Sequence, residues 1–315
     1  MTRPDSSVKP YYPVLATSAG ILFISTASLL IRFAQVDAPS IVIAAGRLLV
    51  ASLVLVPIAL FRYRHEFKRL SFKAWLKGGL SGLFLALHFA CWIQSLEYTS
   101  VASSVVLVTT TPLWVAILSP LFLKEPVRKS VIIGLVISII GGVIVGFSNA
   151  CGLIAGRLVC TNISLNSQSM LGNFLALIGA WMAAGYMMIG RQLRKQLSTI
   201  AYSALVYGVA ALILLIVVLI RAEPVFSYQP QTYLWLLALG IVPQLLGHSL
   251  LNWSLEFVSA AYVSLTLLGE PIGTVILALI FLKERPTLVE LIGAVLILFG
   301  IVVGSLREKL RLNEA

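Results

Sequence analysis

Long apolar runs separated by short polar segments follow one another along the whole chain. An α-helix rises about 1.5 Å per residue, so about 20 apolar residues cross the roughly 30 Å hydrocarbon core of a bilayer. Runs of this kind lie at 14–33, 39–61, 76–94, 101–123, 130–148, 171–190, 199–220, 232–254, 260–282 and 288–305. The connections are mostly short, so consecutive helices are expected to be antiparallel neighbours. The pattern predicts an all-α integral membrane protein with ten transmembrane helices.

The composition supports lipid as the solvent for most of the chain. Of the 315 residues, 59% are hydrophobic and 11% are charged. A soluble domain averages about 45–50% apolar and about 25% charged residues. The excess of apolar residues is too large for a globular core, so the lipid bilayer is the predicted surroundings of the helices.

The basic residues are distributed unevenly between the two sides of the predicted membrane. With ten spans, 17 of the 23 Lys and Arg residues fall on the side of both termini, and four fall on the other side. Arg32 and Arg47 lie in or near the membrane. This asymmetry predicts that both termini are cytoplasmic and that the protein is a multi-pass protein of the cell membrane. It also explains the net charge of +11 without a nucleic-acid partner.

The two halves of the chain align without gaps when the sequence is shifted by 159 residues. The segment SLEYTSVA at 95–102 falls on SLEFVSAA at 254–261, and FLKE at 122–125 falls on FLKE at 281–284. Such self-similarity indicates a duplicated five-helix unit. Because five is odd, the second copy is inverted in the membrane relative to the first. Inverted repeats are typical of secondary transporters, in which the substrate binds near the midplane between the repeats.

The predicted organisation has five parts. These are a cytoplasmic N-terminal segment at 1–13, a first five-helix repeat at 14–148, an outer linker loop at 149–170, a second five-helix repeat at 171–306 and a cytoplasmic C-terminal tail at 307–315. The two repeats are expected to surround the functional site together.

The stretches TPLWVAILSPLFLKEPVRKSVIIGLVISIIGGVIVG and GEPIGTVILALIFLKERPTLVELIGAVLILFGIVVG resemble the two EamA-type repeats of the drug/metabolite transporter superfamily. The similarity runs from the first span to the last. Lys124–Glu125 and Lys283–Glu284 match the helix-end motif of that family, and Arg47 matches an arginine common in its second helix. The first copy departs from the pattern, since Thr111 stands where the second copy has Glu270. The resemblance implies a ten-helix carrier of small metabolites, amino acids or drugs.

Two charged residues lie near the centres of predicted spans. A charge at such a position costs roughly 2.5–3.5 kcal/mol, so it usually faces a cavity or another charge. Glu270, next to Pro271, is a candidate to bind a substrate amine or to carry a proton. Its alternative role is a structural ion pair, or a neutral acid bonded to a backbone group that the proline frees. Arg47 is a candidate to bind a substrate carboxylate or to pair with Glu270.

Four further residues complete the predicted substrate-binding set. His88 and His248 lie inside the third and eighth spans, where a histidine either relays protons or bonds a neighbouring helix. Trp181 and Tyr186 lie deep in the sixth span, where they either line a cavity or fill one. No catalytic residue is assigned.

Other polar residues are given structural roles. Trp92 and Asn252 lie near span ends, where anchoring at the membrane interface is the commoner role. Glu97 and Glu256 occupy the same position in both halves, like Glu125 and its counterpart, and are attributed to helix-end geometry.

The cysteines do not indicate a metal site. The chain contains no CxxC motif and no Cys/His cluster, so neither a metal nor a cofactor is predicted. Cys151 and Cys160 lie in the outer linker loop, and a disulfide between them is one option if that side is oxidising.

A secondary transporter of a small metabolite, amino acid or drug-like solute, exporting or exchanging it by alternating access, is the leading hypothesis. No nucleotide-binding loop is present, so a proton gradient or simple exchange is the expected energy source. The alternatives are an integral-membrane enzyme acting on a lipid-linked substrate, and a channel. The predicted partners are a small-molecule substrate and the lipid bilayer, with protons as a candidate coupling ion and a homodimer left open.

Overall fold

The computed structural model describes residues 11–99, 101–147, 151–154, 157–160, 167–277, 280 and 288–305. Within these ranges the chain is helical apart from one two-stranded hairpin and short connections. Helices are expected here, because hydrocarbon offers no hydrogen-bond partner for backbone N–H and C=O groups. Most of the predicted N-terminal segment, the predicted tail at 307–315, and Lys283 and Glu284 lie outside the described residues.

The described residues of the first half form helices and short connections. They are α1 (Tyr12–Ile24), α2 (Ala27–Ala34), α3 (Ser40–Arg62), α4 (Arg64–Lys68), α5 (Phe72–Tyr98), α6 (Val101–Val108), α7 (Thr111–Phe122) and α8 (Lys129–Phe147). The helices α1 and α2 follow one another almost without interruption and count as one span.

The second half begins with a hairpin and continues with helices. Its elements are β1 (Cys151–Ile154), β2 (Arg157–Cys160), α9 (Ser167–Leu193), α10 (Thr199–Ile220), α11 (Pro230–Leu239), a π-helical segment (Gly240–His248), α12 (Ser249–Ser254), α13 (Ala260–Thr266), a 3₁₀ turn (Leu267–Gly269), α14 (Glu270–Leu277) and α15 (Leu288–Ser305). The hairpin is antiparallel and places Cys151 opposite Cys160. The side chains of these two cysteines are not described, so the disulfide stays a prediction.

Six helical stretches among the described residues are long and apolar enough to cross a membrane. They are Tyr12–Ala34, Ser40–Arg62, Phe72–Tyr98, Gln168–Leu193, Thr199–Ile220 and Pro230–Ser254. They coincide with six of the predicted spans. Shorter apolar helices occupy Thr111–Phe122, Lys129–Ile144 and Leu291–Gly304, and α13 and α14 lie within the predicted span 260–282. The protein is therefore a multi-span helical membrane protein.

The internal repeat is visible in the contact between α8 and α15. A side chain added at Gly134 would meet the backbone of Gly300, and one added at Gly141 would meet the backbone of Gly293. A shift of 159 residues converts the first contact into the second, so the two helices pack antiparallel about an approximate two-fold axis. Glycines allow this close approach of two backbones, which is a common way for helices to associate in lipid.

The axis passes between two residues that occupy the same position in the two halves. The Ser138 hydroxyl donates to the carbonyl oxygen of Ile297 at 3.1 Å, and the two residues are 159 positions apart. The same symmetry relates contacts far from the axis, where Gly179 packs against Trp92 and Gly20 packs against Leu251.

Both repeats contain a helix that is broken at the same place. In the first half α6 ends at Val108 and α7 begins at Thr111. In the second half the 3₁₀ turn Leu267–Gly269 separates α13 from α14, whose first residue is Glu270. Each second helix has proline at its second position, and proline lacks the N–H that a continuous helix would need. The break that the sequence predicts beside Glu270 is confirmed.

The contact between α8 and α15 is testable with two adjacent glycines of α8, Gly141 and Gly142, because only the first of them faces α15. An added Cβ at Gly141 would lie 2.6 Å from the carbonyl oxygen of Gly293, whereas one at Gly142 would meet nothing within 4 Å. Gly141→Ala is expected to lower the melting temperature, because overpacking costs about 1–3 kcal/mol. Gly142→Ala is expected to leave it unchanged or raise it, since alanine is the better helix former. Equal melting temperatures of the two variants in the same detergent would contradict the antiparallel packing.

Candidate functional site

A cavity lies beside the two broken helices, and both halves of the chain contribute to its walls. It contains about 720 Å³ of space not filled by protein atoms, part of it open to solvent. The polar or ionisable residues that line it are Arg47, His88, Trp92, Thr109, Thr111, Tyr186, His248, Asn252 and Glu270.

Arg47 is held in the cavity wall by two contacts. Its side chain, on α3, is fully buried, and its Nε donates to Oε1 of Gln244 at 3.1 Å. The guanidinium carbon lies 3.9 Å from the centre of the Phe89 ring. Gln244 belongs to the π-helical segment, a helix type often found at functional sites. The terminal nitrogens Nη1 and Nη2 have no hydrogen-bond partner among the described residues.

Glu270 lies where the helix of the second half is broken. Its backbone carbonyl accepts hydrogen bonds of 3.1 Å from the hydroxyls of Ser25 and Thr274. These bonds satisfy the backbone at the start of α14 and fix its position. The side chain is 7% exposed, and its buried Oε1 has no hydrogen-bond partner in the part of the chain that the structure describes.

The two charged side chains do not satisfy each other. Arg47 and Glu270 line one cavity and interact electrostatically, but the salt bridges of the described residues do not include this pair. Buried charges are normally paired or hydrogen-bonded, because desolvation costs several kcal/mol per ion. The described residues also contain no group of three or more His, Cys, Asp or Glu suited to a metal ion. The cavity therefore contains a guanidinium group and a carboxyl group that each have unused hydrogen-bonding capacity.

Aromatic rings form one wall of the cavity around the histidines. The Nδ1 atom of His88 lies 2.9 Å from the carbonyl oxygen of Gly179. A carbonyl oxygen only accepts, so Nδ1 carries the proton and Nε2 is the acceptor of this ring. The ring stacks on Trp92 with 5.9 Å between the centres. His248 meets the Phe89 ring edge-on at 5.4 Å, and this is the ring that the guanidinium also contacts.

Another wall is a polar network centred on Asn252. The Tyr186 hydroxyl donates to Oδ1 of Asn252 at 2.5 Å. The Asn252 amide nitrogen donates to the hydroxyls of Ser203 and Tyr207, both at 3.2 Å. Donors and acceptors are matched here, which makes this wall a fixed polar surface.

Five of the six predicted substrate-binding residues line the cavity, and Trp181 does not. Trp181 is 38% exposed and meets Trp114 edge-on, with 5.3 Å between the ring centres. The sequence places Trp181 and Tyr186 at similar depth along α9. They are five positions apart, however, so their side chains lie on different faces of the helix.

A second buried charged cluster, the Arg191 network, consists of Arg191, Arg194, Glu125 and Glu256. The Arg191 Nε lies 3.2 Å from Oε1 of Glu125, and its Nη1 donates to the carbonyl oxygens of Leu255 and Glu256 at 2.5 and 3.0 Å. Arg191 lies at the end of α9, and Glu125 lies just beyond α7. The network therefore connects three parts of the chain that adjoin the cavity.

Arg194 extends the network towards the cavity wall. Its Nη2 lies 2.5 Å from Oε2 of Glu256, and its Nε donates to the carbonyl oxygen of Asn252 at 3.0 Å. Burial raises the pKa of Glu256 above its ordinary value, an effect that Arg194 opposes. Asn252 thus contacts Tyr186 in the cavity through its side chain and the Arg191 network through its backbone.

The opposite end of the molecule has an equivalent site that is only partly formed. Lys77 of α5 donates to Gln192 beside Arg191, at 2.5 Å, whereas Ile93 of the same helix accepts from Gln35, at 3.1 Å. Sixteen residues of helix separate Lys77 from Ile93, or about 24 Å, so these contacts mark two ends of the molecule.

The repeat identifies which residues correspond between the two ends. Gln35 is the equivalent of Arg194, and its bond to Ile93 reproduces the bond from Arg194 to Asn252. Arg32 is the equivalent of Arg191. Unlike Arg191 it is exposed, and it makes no hydrogen bond or ion pair in the described ranges.

Sequence reasoning missed several residues of this arrangement. The interpretation of Trp92 and Asn252 as interfacial anchors is wrong, because both are buried in the cavity wall. Gln244 is absent from the predicted set, although a lone amide four residues before a membrane histidine and next to a proline is a usable signal. Arg191 and Arg194 are among the 17 basic residues that the sequence assigns to the side of both termini, and only the structure shows that both are buried.

Comparison with known proteins is consistent with this geometry. The profile of the EamA-like transporter family matches residues 12–147 and 170–306. The chain is 25% identical over 310 residues to the uncharacterized transporter YetK of Bacillus subtilis (strain 168). This alignment covers 96% of this chain and 89% of YetK. It is 26% identical over 231 residues to the pseudopaline exporter CntI of Pseudomonas aeruginosa (strain UCBPP-PA14), covering 72% and 74% of the two chains.

The fold is also found in a solved crystal structure. That structure superposes on this protein with a TM-score of 0.74 at 19% sequence identity. The superposition covers 93% of this chain and 96% of the other chain. The two matched regions of the family profile each contain one copy of the repeat, which confirms the resemblance that the sequence indicates. The protein belongs to the EamA-like transporter family.

Proposed function

We propose that the protein is a secondary transporter that moves a small solute across the cell membrane by alternating access. In this proposal the ten predicted spans form two inverted repeats, at 14–148 and 171–306, with both termini in the cytoplasm. The solute binds in the cavity between the repeats. The Arg191 network then lies on the cytoplasmic side and Arg32 on the outer side, as the distribution of basic residues requires.

The observation that supports the proposal most is that two equivalent arginines have different surroundings. Arg191 is 2% exposed and bound to Glu125 and two carbonyls, whereas Arg32 is exposed and unpaired within the described part of the chain. Each half of an inverted duplication is able to adopt the conformation of the other half. The structure is then one of two arrangements, with the cytoplasmic side closed.

The second arrangement follows from the repeat. Arg32 would take the position that Arg191 now has and bind the carbonyl oxygens of Leu96 and Glu97, which are equivalent to those of Leu255 and Glu256. The Arg191 network would open at the same time, so that the cavity becomes accessible from the cytoplasm. Such an exchange of one set of contacts for an equivalent set is a common basis of two-state transitions.

The cavity and the closed side are connected through Asn252. A solute that displaces the Tyr186 hydroxyl from the Asn252 side chain acts on the residue whose carbonyl holds Arg194. Binding therefore has a direct route to the closed side. A ligand shifts a two-state equilibrium only through contacts that differ between the states, and this route supplies them.

The same features argue against the alternatives. An enzyme for lipid-linked substrates would place its charged groups near the membrane surface, whereas Arg47 and Glu270 are buried inside. A channel needs a continuous path, and at one end of the molecule the side chains of Arg191, Arg194 and Glu125 are buried against each other and the backbone. The relative CntI is named an exporter, which supports export as the direction.

Access to the cavity from the two sides tests the alternating arrangement. Met187 lines the cavity, so Met187→Cys, in a background with Cys91, Cys151 and Cys160 replaced by serine, serves as a reporter for a membrane-impermeant maleimide. Replacing both Arg191 and Glu125 by glutamine should raise labelling from the cytoplasmic side about tenfold, the effect of about 1.4 kcal/mol. Arg32→Gln should lower it, because Arg32 stabilises only the inward-open state.

The control for this experiment is Lys195→Gln, which removes an exposed charge one residue from Arg194 and should leave labelling unchanged. Changes in the same direction for the double variant and for Arg32→Gln would show that the two ends do not alternate.

Transport itself is tested with purified protein in liposomes that contain no ATP. Counterflow of a radiolabelled solute is expected, and the double variant of Arg191 and Glu125 should slow it at least about tenfold by favouring one state. If protons are the coupling ion, an imposed pH gradient drives uptake by the wild type and not by Glu270→Gln. Uptake that requires ATP, or that no unlabelled solute stimulates, would rule out a secondary carrier.

A further inference from the structure

We infer that the solute is a small zwitterion that carries a carboxylate, a cationic amine and an apolar group. The inference rests on the proposed function, because it assigns the ligand of the same cavity. It derives from the two unpartnered charged groups, Arg47 and Glu270, and from the apolar surface between them.

Arg47 is prepared to bind a carboxylate. Its Nε is already bonded to Gln244, and its guanidinium plane lies against the Phe89 ring. These contacts orient the side chain and leave Nη1 and Nη2 as donors without partners in the described part of the chain. Two parallel N–H donors match the two oxygens of a carboxylate, which is the arrangement of strong bidentate pairs.

Glu270 is prepared to bind a cationic amine. Its backbone is fixed by Ser25 and Thr274, and its Oε1 is buried without a partner in the described ranges. A carboxylate in apolar surroundings gains most from a donor that also carries positive charge. The equivalent residue in the first repeat is Thr111, whose hydroxyl is already bonded to backbone carbonyls. The anionic position therefore exists once, so the solute is bound in one orientation.

The two charges together select a zwitterion over a singly charged solute. A solute with only a carboxylate would leave Glu270 unpaired, and one with only an amine would leave Arg47 unpaired. An uncompensated buried charge is strongly unfavourable. A zwitterion satisfies both groups and brings no net charge into the cavity.

The remaining lining indicates the third group of the solute. Apolar side chains cover much of the cavity wall, among them Ile24, Val108, Leu251 and Leu267. The Trp92 indole nitrogen is buried and has no partner among the described residues, so one further acceptor on the solute has a donor available. A hydrocarbon group of moderate size suits the rest of the surface.

Three matched ligands test the inference on the purified, full-length protein. Leucine carries both charges, 4-methylpentanoate lacks the amine, and 3-methylbutylamine lacks the carboxylate, while the apolar group stays the same. Binding is measured in lipid nanodiscs by ligand-induced change in melting temperature and by competition with radiolabelled leucine. We expect leucine to bind about 10- to 100-fold more tightly than either single-charge ligand, the difference expected for one lost hydrogen bond to a charged group.

Two variants assign each charge to its residue. Glu270→Gln should weaken leucine binding by the same factor and should not weaken 4-methylpentanoate binding, because no carboxylate is then left unpaired. Arg47→Gln should weaken leucine binding in the same way and should not weaken 3-methylbutylamine binding. If Arg47→Gln does not fold, Arg47→Lys, which loses the two parallel donors, should also weaken leucine binding. Glu223→Gln and Arg221→Gln remove charges outside the cavity and should change neither affinity.

The outcomes separate this inference from the proposed function. The inference that the solute is a zwitterion is wrong if a single-charge ligand binds as tightly as leucine, or if none of the three ligands binds at millimolar concentration. Either result would count against it whatever the labelling experiment shows. A salt bridge between Arg47 and Glu270 in the other state would give that result. Leucine binding could follow the expectation while substitution of Arg32, or of Arg191 with Glu125, leaves the labelling of Met187→Cys unchanged. That result would support the ligand class and contradict alternating access.

Discussion

Charge in a hydrocarbon environment is the constraint on which the rest of this structure depends. A buried ion must find a partner of opposite sign or a set of hydrogen bonds, since an uncompensated ion costs several kcal/mol, a large fraction of the stability of a typical domain. Arg191 and Arg194 meet this requirement through two carboxylates and several backbone carbonyls. Arg47 and Glu270 do not. The difference separates charges whose partners lie within the protein from charges with unused hydrogen-bonding capacity.

Glycine and proline decide where these charges can lie. Because lipid is as apolar as leucine, helices in a membrane gain little from burying apolar surface against each other and instead associate through close packing. The glycines of α8 and α15 bring two backbones together and hold the repeats about their axis. The prolines after Thr111 and Glu270 break one helix in each half. Close backbone packing therefore lies at the axis, and interrupted helices lie beside the cavity.

Much of this arrangement could be predicted from sequence, because it rests on patterns that lie along the chain. Apolar runs predict six confirmed spans, the 159-residue shift predicts the symmetric contacts, and a carboxylate beside a proline inside an apolar run predicts the broken helix. What could not be predicted depends on the face of a helix or on distant contacts. Trp181 and Tyr186 lie at similar depth in the helix but have different neighbours. The sequence gives Arg191 the appearance of a solvent-exposed loop residue, because its contact with Glu125 joins distant parts of the chain.

The contact between Ser138 and Ile297 has a thermodynamic consequence. These residues lie on the approximate two-fold axis, so their surroundings would be nearly the same in two conformations that exchange the roles of the repeats. A substitution there would raise the free energy of both conformations by a similar amount. It would change how stable the protein is without changing the ratio of the two populations. Positions off the axis would bias that ratio, and so evolution is able to adjust stability and directionality at separate residues.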